Sequence, residues 1–248
     1  MFLSQELPPT RYDLRFSVAG IPVRVHPLFW LIALLFGSSG SLVLIPIWIL
    51  VIFVSILVHE LGHALAFRRY GQRSRILLHF AGGLTIPEPV SWGGGYANVG
   101  LTANQQIFIS LAGPGAGFLF AALLIAIVLV TGGSVSTFWL LGFIPILNAG
   151  MPLGGPFLAA VVTMLLGVNI FWGVINLMPV HPLDGGSVAR NVAVQVDPID
   201  GIRKSLWLSV VAGAIAALVG LLFLRSLFLA LLFGLLAFQS YQALQHRY

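Results

Sequence analysis

Long apolar runs dominate this chain. A helix crosses a bilayer with about 20 mostly apolar residues, because each residue adds about 1.5 Å. Six segments approach this length, although the apolar core of the first is short. They are residues 22–37, 42–67, 104–131, 156–178, 205–224 and 226–244. Only 8% of the residues are charged, against about 25% in soluble proteins. The sequence therefore predicts an all-α polytopic membrane protein with about six transmembrane helices.

The basic residues predict how these helices are oriented. If the N-terminus is cytoplasmic, all of the 12 Lys and Arg residues except Arg225 fall on the cytoplasmic side, as the positive-inside rule requires. We expect a multi-pass protein of the cell (inner) membrane with both termini in the cytoplasm and no removable signal peptide. Residues 1–248 are expected to form one transmembrane domain, in contact with the lipid bilayer and without a nucleic-acid partner. The oligomeric state is left open.

Two further segments are too short or too interrupted to be spanning helices. Residues 138–147 are apolar and bounded by Pro and Gly, which favours a re-entrant or interfacial segment. Residues 77–100 combine apolar and aromatic residues with Gly breaks, which favours a small membrane-associated β-hairpin region. A plain cytoplasmic loop is the alternative for residues 77–100.

The second apolar segment contains the motif HELGH. His59 and His63 are four residues apart, so they lie on one face of a helix and can bind one metal ion. Glu60 lies beside them, within reach of a water molecule at that metal. The chain has no cysteine, so His, Asp or Glu must supply every metal ligand. The motif predicts a zinc hydrolase with His59 and His63 as ligands and Glu60 as the catalytic base. The alternative is that these residues only bridge helices through hydrogen bonds.

A catalytic zinc takes three protein ligands and keeps one position open. Among the acids, Asp184 follows the fourth apolar segment in NLMPVHPLDGG, where prolines interrupt the helix and two glycines permit a tight turn. We predict Asp184 as the third ligand, with a helix-capping role and ligation by His181 as alternatives. Asn176 lies inside the fourth segment, where its amide either donates to a developing oxyanion or ties helices together. Asn148 is a weaker candidate for the same donation.

Four motifs in this order resemble the site-2 protease family of intramembrane zinc metalloproteases. They are HELGH at 59–63, AGGL at 81–84, SLAGPGAGF at 110–118 and NLMPVHPLDGG at 176–186. The resemblance covers most of the chain, in the compact form that lacks PDZ and CBS domains. It implies one zinc ion per chain held by His59, His63 and Asp184, with Glu60 as base and Asn176 near the substrate carbonyl. Gly113, Gly115 and Gly117 are expected to permit close helix packing.

The resemblance implies hydrolysis of peptide bonds within or near transmembrane segments of membrane-protein substrates, in regulated intramembrane proteolysis. The substrate is expected to be a transmembrane protein that docks as an added strand on the hairpin region. The competing hypothesis is an ion or metal transporter that uses the buried His and Asp residues. A His2Asp ligand set also accepts divalent metals other than zinc.

Overall fold

The computed structural model describes residues 6–36, 44–80, 82–88, 90–92, 95–97, 100–140, 144–152 and 154–245. These residues divide into two compact units. The sheet unit comprises the described residues within 6–97 and 112–174, and the C-terminal unit comprises the described residues within 100–111 and 175–245. The helices are α1 (Pro27–Phe36), α2 (Ile45–Arg69), α3 (Ala103–Val130), α4 (Gly155–Asn176), α5 (Asp184–Val196), α6 (Gly201–Leu222) and α7 (Leu227–Gln245). The strands are β1 (Leu14–Val18), β2 (Ile21–Val25), β3 (Ser74–His79), β4 (Gly82–Pro87), β5 (Val90–Trp92), β6 (Gly95–Ala97), β7 (Ser134–Leu140) and β8 (Ile144–Gly150).

Five of the described helices are long and apolar enough to cross a membrane: α2, α3, α4, α6 and α7. They match five of the six predicted segments. The first predicted segment, 22–37, differs from the structure, since its first residues form β2 and α1 has only 10 residues. The sequence IPVRV explains the strand, because alternate residues are buried and exposed, as in a half-buried strand. The predicted fold class, mainly helical with a small sheet, is confirmed.

A four-stranded sheet in the order β1-β2-β3-β4 forms the base of the sheet unit. β1 pairs antiparallel with β2, β2 parallel with β3, and β3 antiparallel with β4. The turn between β1 and β2 uses Ala19 and Gly20, both with positive φ. Arg68 of α2 donates a hydrogen bond of 2.8 Å to the Ala19 carbonyl. The predicted hairpin region corresponds to β3 to β6, but its pairing with the N-terminal strands is a long-range feature that the sequence did not indicate.

One face of this sheet carries the core of the unit. Alternate residues of β2 and β3, with Val25 and Leu78 fully buried, pack against α1 and α2. Phe29 of α1 and Ile56 of α2 complete the cluster. Ile56 lies one turn before His59, so the core that joins sheet and helix also fixes the position of the HELGH motif.

The segment between α3 and α4 forms a second hairpin. β7 and β8 pair antiparallel, and Val135, Leu147 and Ala149 pack against α3 and α4. Thr163 of α4 accepts a hydrogen bond of 3.0 Å from the Ala149 backbone N–H. The predicted re-entrant or interfacial segment, 138–147, therefore contains strands within the described residues, and residues 141–143 lie outside them.

The C-terminal unit consists mainly of α5, α6 and α7. Its apolar core contains Val180, Phe233 and Leu236. α6 and α7 approach closely at Gly213, where a Cβ atom would lie 3.0 Å from the Ala237 Cβ. Short side chains on α6 thus let two apolar helices pack side by side.

Candidate metal centre

Two histidines on α2 form the centre of the candidate site. The side chains of His59 and His63 are buried, with 4% and 8% of their surface exposed. Their Nε2 atoms are 3.2 Å apart. Two nitrogens that each lie about 2.05 Å from a tetrahedral zinc ion are about 3.3 Å apart. The distance between the two nitrogens is therefore compatible with two ligands of one zinc ion.

Glu60 brings a carboxylate to the same place. It is 5% exposed, and one of its carboxylate oxygens lies within 4.8 Å of a ring nitrogen of each histidine. Within the part of the chain that the structure describes, this is the one group of three or more potential metal-binding side chains. The three residues of HELGH thus converge as the sequence predicts, because their convergence depends only on local helix geometry.

β4 lies directly against Glu60. The Thr85 hydroxyl is 2.7 Å from Glu60 Oε2 and 3.1 Å from the Glu60 backbone oxygen. Gly83, two residues earlier on the strand, is so close that a Cβ atom there would lie 2.5 Å from the carboxylate carbon. The sequence analysis did not identify Thr85. The signal that could have found it is its position two residues after the AGGL glycine, on the same face of a strand.

α3 approaches the other side of the site through Gly113. A Cβ atom at this position would overlap the His63 ring, at 2.8 Å from Cδ2 and closer still to Nε2. A Cβ atom at Gly115, in contrast, would meet nothing within 4 Å, and one at Gly117 would lie 3.5 Å from Asn169 Oδ1, an ordinary contact. Of these three glycines, Gly113 thus has the closest contact, and the group that it contacts is a candidate metal ligand.

A buried amide supports α2 one turn before the motif. Asn169 of α4 is 3% exposed. It donates hydrogen bonds of 2.9 Å to the Ser55 hydroxyl and 2.8 Å to the Leu165 carbonyl. Asn169, which the sequence analysis did not select, thus bridges two helices; the same role stays an alternative for Asn176.

The other predicted site residues belong to the C-terminal unit. α4 ends at Asn176, which is buried, and α5 begins at Asp184, which is half-buried. The turn between them is tight at both glycines. A Cβ atom at Gly185 would lie 2.6 Å from the Met178 carbonyl oxygen, and a Cβ atom at Gly186 would lie 2.6 Å from the His181 backbone nitrogen. The predicted interruption of the helix and the need for both glycines fit this turn. The roles of Asp184 as ligand and Asn176 as donor stay predictions.

His181 lies in the same turn. Its backbone N–H donates to the Ser209 hydroxyl at 3.1 Å, and its side chain lines a cavity of about 60 Å³ with Arg190 and Ser205. Burial, and then the positive charge of Arg190, lower the pKa of His181. His181 stays the alternative third ligand.

Asn148, the weaker oxyanion candidate, lies exposed on β8.

Comparisons with known proteins give the family. The model of peptidase family M50 matches residues 47–219, a range that includes the HELGH motif and Asp184. A zinc metalloprotease of Methanocaldococcus jannaschii is 28% identical over 86% of this chain and 54% of its own length. A putative zinc metalloprotease of Synechocystis is 29% identical over 73% of this chain and 44% of its own length. A putative zinc metalloprotease of Mycobacterium tuberculosis is 29% identical over 70% of this chain and 41% of its own length. The chain spans about half the length of these curated relatives.

A solved structure agrees with this result. The site-2 protease from Methanocaldococcus jannaschii aligns with a TM-score of 0.56 and 22% identity, over 94% of this chain and 95% of that one. At this level of identity the likeness establishes the fold. The predicted resemblance to the site-2 proteases, a class of metalloproteases, is confirmed, and the chain belongs to peptidase family M50.

Proposed function

We propose that this protein is a zinc metalloendopeptidase that hydrolyses peptide bonds within or near transmembrane segments of membrane proteins. The observation that carries the proposal is the 3.2 Å separation of the His59 and His63 Nε2 atoms on an apolar helix. This spacing fits the two nitrogen ligands of one tetrahedral zinc ion. The transport hypothesis has no comparable support among the described residues.

The residues of the site divide the chemistry between them. His59, His63 and Asp184 would hold one zinc ion, which when bound supplies Lewis acidity that acidifies water and polarises the scissile carbonyl. Glu60 accepts the proton of the attacking water and passes it to the leaving amine. Asn176 donates its amide N–H to the charge that develops on the carbonyl oxygen. The buried position of Glu60 excludes bulk water and strengthens these polar interactions.

The edge of the sheet supports a docking site for the substrate. In the described four-stranded sheet β4 is an edge strand, paired only with β3. An extended peptide added to this edge lies about 4.8 Å from β4. Gly83 of β4 is in contact with Glu60, so a peptide on this edge would run beside the catalytic base. Strand addition also exposes a scissile carbonyl that a helical substrate keeps in hydrogen bonds.

The basic residues support the predicted membrane orientation. Five of the described helices are long and apolar enough to cross a membrane. We propose a sixth crossing before α2, so that both termini lie on one side. With the N-terminus in the cytoplasm, all Lys and Arg residues except Arg225 then lie on the cytoplasmic side, as the positive-inside rule requires.

Metal analysis and peptide cleavage on the same detergent-purified protein test the function. We expect about one zinc per chain and cleavage of a transmembrane peptide. Glu60→Gln should keep the metal and abolish cleavage, whereas Asp184→Ala should lose the metal. The matched controls are Glu88→Gln, in the loop after β4, and Asp200→Ala, whose side chain makes no capping hydrogen bond. Cleavage unchanged in Glu60→Gln would contradict the assignment of the cleavage to this site, and bound metal without cleavage by the parent protein would favour transport.

A further inference from the structure

We propose that Thr85 is a positioning residue that holds the Glu60 carboxylate as a base and prevents it from becoming a metal ligand. This inference rests on the proposed function, because it concerns the same metal site. It adds a role for β4 that none of the sequence motifs assigns: the strand orients the base as well as bordering the site.

The hydroxyl of Thr85 is well placed to fix the carboxylate. It lies 2.7 Å from Glu60 Oε2, a length typical of a strong hydrogen bond from a hydroxyl to a carboxylate. Thr85 pairs with Ile76 of β3, and Ile76 is only 1% exposed. The donor therefore projects from a strand whose backbone is anchored in the core.

Gly83 limits the carboxylate from a second direction. Gly83 and Thr85 are two residues apart on β4, so both face α2. A Cβ atom at Gly83 would lie 2.5 Å from the Glu60 carboxylate carbon, so the strand backbone forms a wall against the side chain. The hydrogen bond and this wall together leave the carboxylate little freedom to move.

The site needs such a restraint because Glu60 is close enough to bind a metal itself. One carboxylate oxygen lies within 4.8 Å of a ring nitrogen of both His59 and His63, and carboxylates are ordinary zinc ligands. A glutamate side chain has three rotatable bonds, so a carboxylate without its tether could swing into the open coordination position. It would then be unable to accept a proton from water at that position.

Spectroscopy of Co²⁺-loaded protein tests the inference without reference to activity. The visible absorption of Co²⁺ depends on its coordination number and ligands. We expect Thr85→Val, which keeps the side-chain shape and removes the hydroxyl, to change this spectrum. Thr85→Ser should keep the parent spectrum. Thr163→Val is the matched control, because it also removes a threonine hydroxyl that makes a hydrogen bond in the same unit.

Cleavage kinetics provide a second measurement. A misplaced base that still functions in part should lower kcat of Thr85→Val by about 10- to 100-fold, less than the 10²- to 10⁴-fold that general acid–base catalysis contributes in full. KM should change less than about threefold, and bound zinc should stay near one per chain. Thr85→Ser should restore kcat to within about threefold of the parent. If Thr85→Val does not fold, as judged by thermal unfolding, comparison of Thr85→Ala with Thr85→Ser replaces it.

The outcomes separate this inference from the proposed function. If Co²⁺ binds and no variant cleaves, the protease proposal fails, and the spectrum of Thr85→Val still decides the role of Thr85. If the parent protein binds no Co²⁺, both proposals are overturned. A spectrum and a kcat that are the same in Thr85→Val and the parent, or a Thr163→Val variant with equal changes, would overturn the role of Thr85 alone.

Discussion

Substitution of Gly113 by alanine should disrupt the metal site without direct contact with a metal. The added Cβ would lie 2.8 Å from His63 Cδ2, whereas ordinary contacts begin at 3.4 Å. The ring carbon must therefore retreat by about 0.6 Å, and Nε2, which lies closer to the added atom, by about 1 Å. Metal–ligand distances tolerate about ±0.2 Å. His63 can no longer bind a metal at the position that suits His59.

The expected effect of Gly113→Ala is a loss of zinc affinity of at least about 100-fold, since perturbing groups that only orient ligands costs 10- to 100-fold. Titration against a chromophoric zinc chelator measures this affinity. Gly115→Ala is the matched control on the same helix, because its Cβ meets nothing within 4 Å. It should keep the parent affinity and raise the free energy of unfolding by about 0.5–1 kcal/mol, as alanine favours helix more than glycine. Zinc affinity within about threefold of the parent in Gly113→Ala, or an equal loss in Gly115→Ala, would refute the reasoning.

Three further predictions concern stability. Burial, followed by the charges of His26 and Arg24, lowers the pKa of His79 from 6.5 to about 4. As the pH falls, His79 therefore becomes protonated in the unfolded chain before it does so in the folded protein. The free energy of unfolding should fall by up to about 3 kcal/mol between pH 6.5 and 4. Urea unfolding at both pH values checks this, and an unchanged pH dependence in His79→Phe would contradict it. Asn169→Val should lower the free energy of unfolding by about 1–3 kcal/mol, because it leaves the Ser55 hydroxyl buried without its donor; thermal unfolding with no loss would argue against this bridge. Glu6 forms ion pairs with Arg24 at 3.2 Å and with Arg75 at 2.8 Å, both partly exposed. Glu6→Gln should therefore lower the free energy of unfolding by less than about 1 kcal/mol, and this loss should disappear at high salt. A salt-independent loss would be inconsistent with an electrostatic origin.

Local patterns predicted much of this protein. Five crossing helices follow from apolar length alone, because lipid selects for about 20 consecutive apolar residues. The juxtaposition of His59, Glu60 and His63 also follows from sequence, since residues four apart share a helix face. The interruption of the helix after Asn176 was readable from Pro179 and the glycines at 185 and 186. In each case the determining residues are close neighbours in the chain.

The first apolar segment shows where local patterns were insufficient. Residues 22–25 read as the start of a helix, but β3 provides them with hydrogen-bonding partners about 50 residues later in the chain. Residues 138–147 were readable as too short to cross, but not as strands, because the pairing of β7 with β8 was not encoded in their hydrophobicity. Pairing between separate segments overrides local preference.

The sequence by itself determined that this is a membrane protein, which helices are long enough to cross the bilayer, and which two histidines can bind one metal ion. Composition, apolar length and helix periodicity are sufficient for these conclusions, because they depend on residues close together in the chain. Only the tertiary structure decided what surrounds that pair. Thr85 and Gly83 reach Glu60 from a strand, and Gly113 meets His63 from another helix. These contacts join segments 20 or more residues apart, and their positions depend on how sheet and helices pack, which no local pattern specifies.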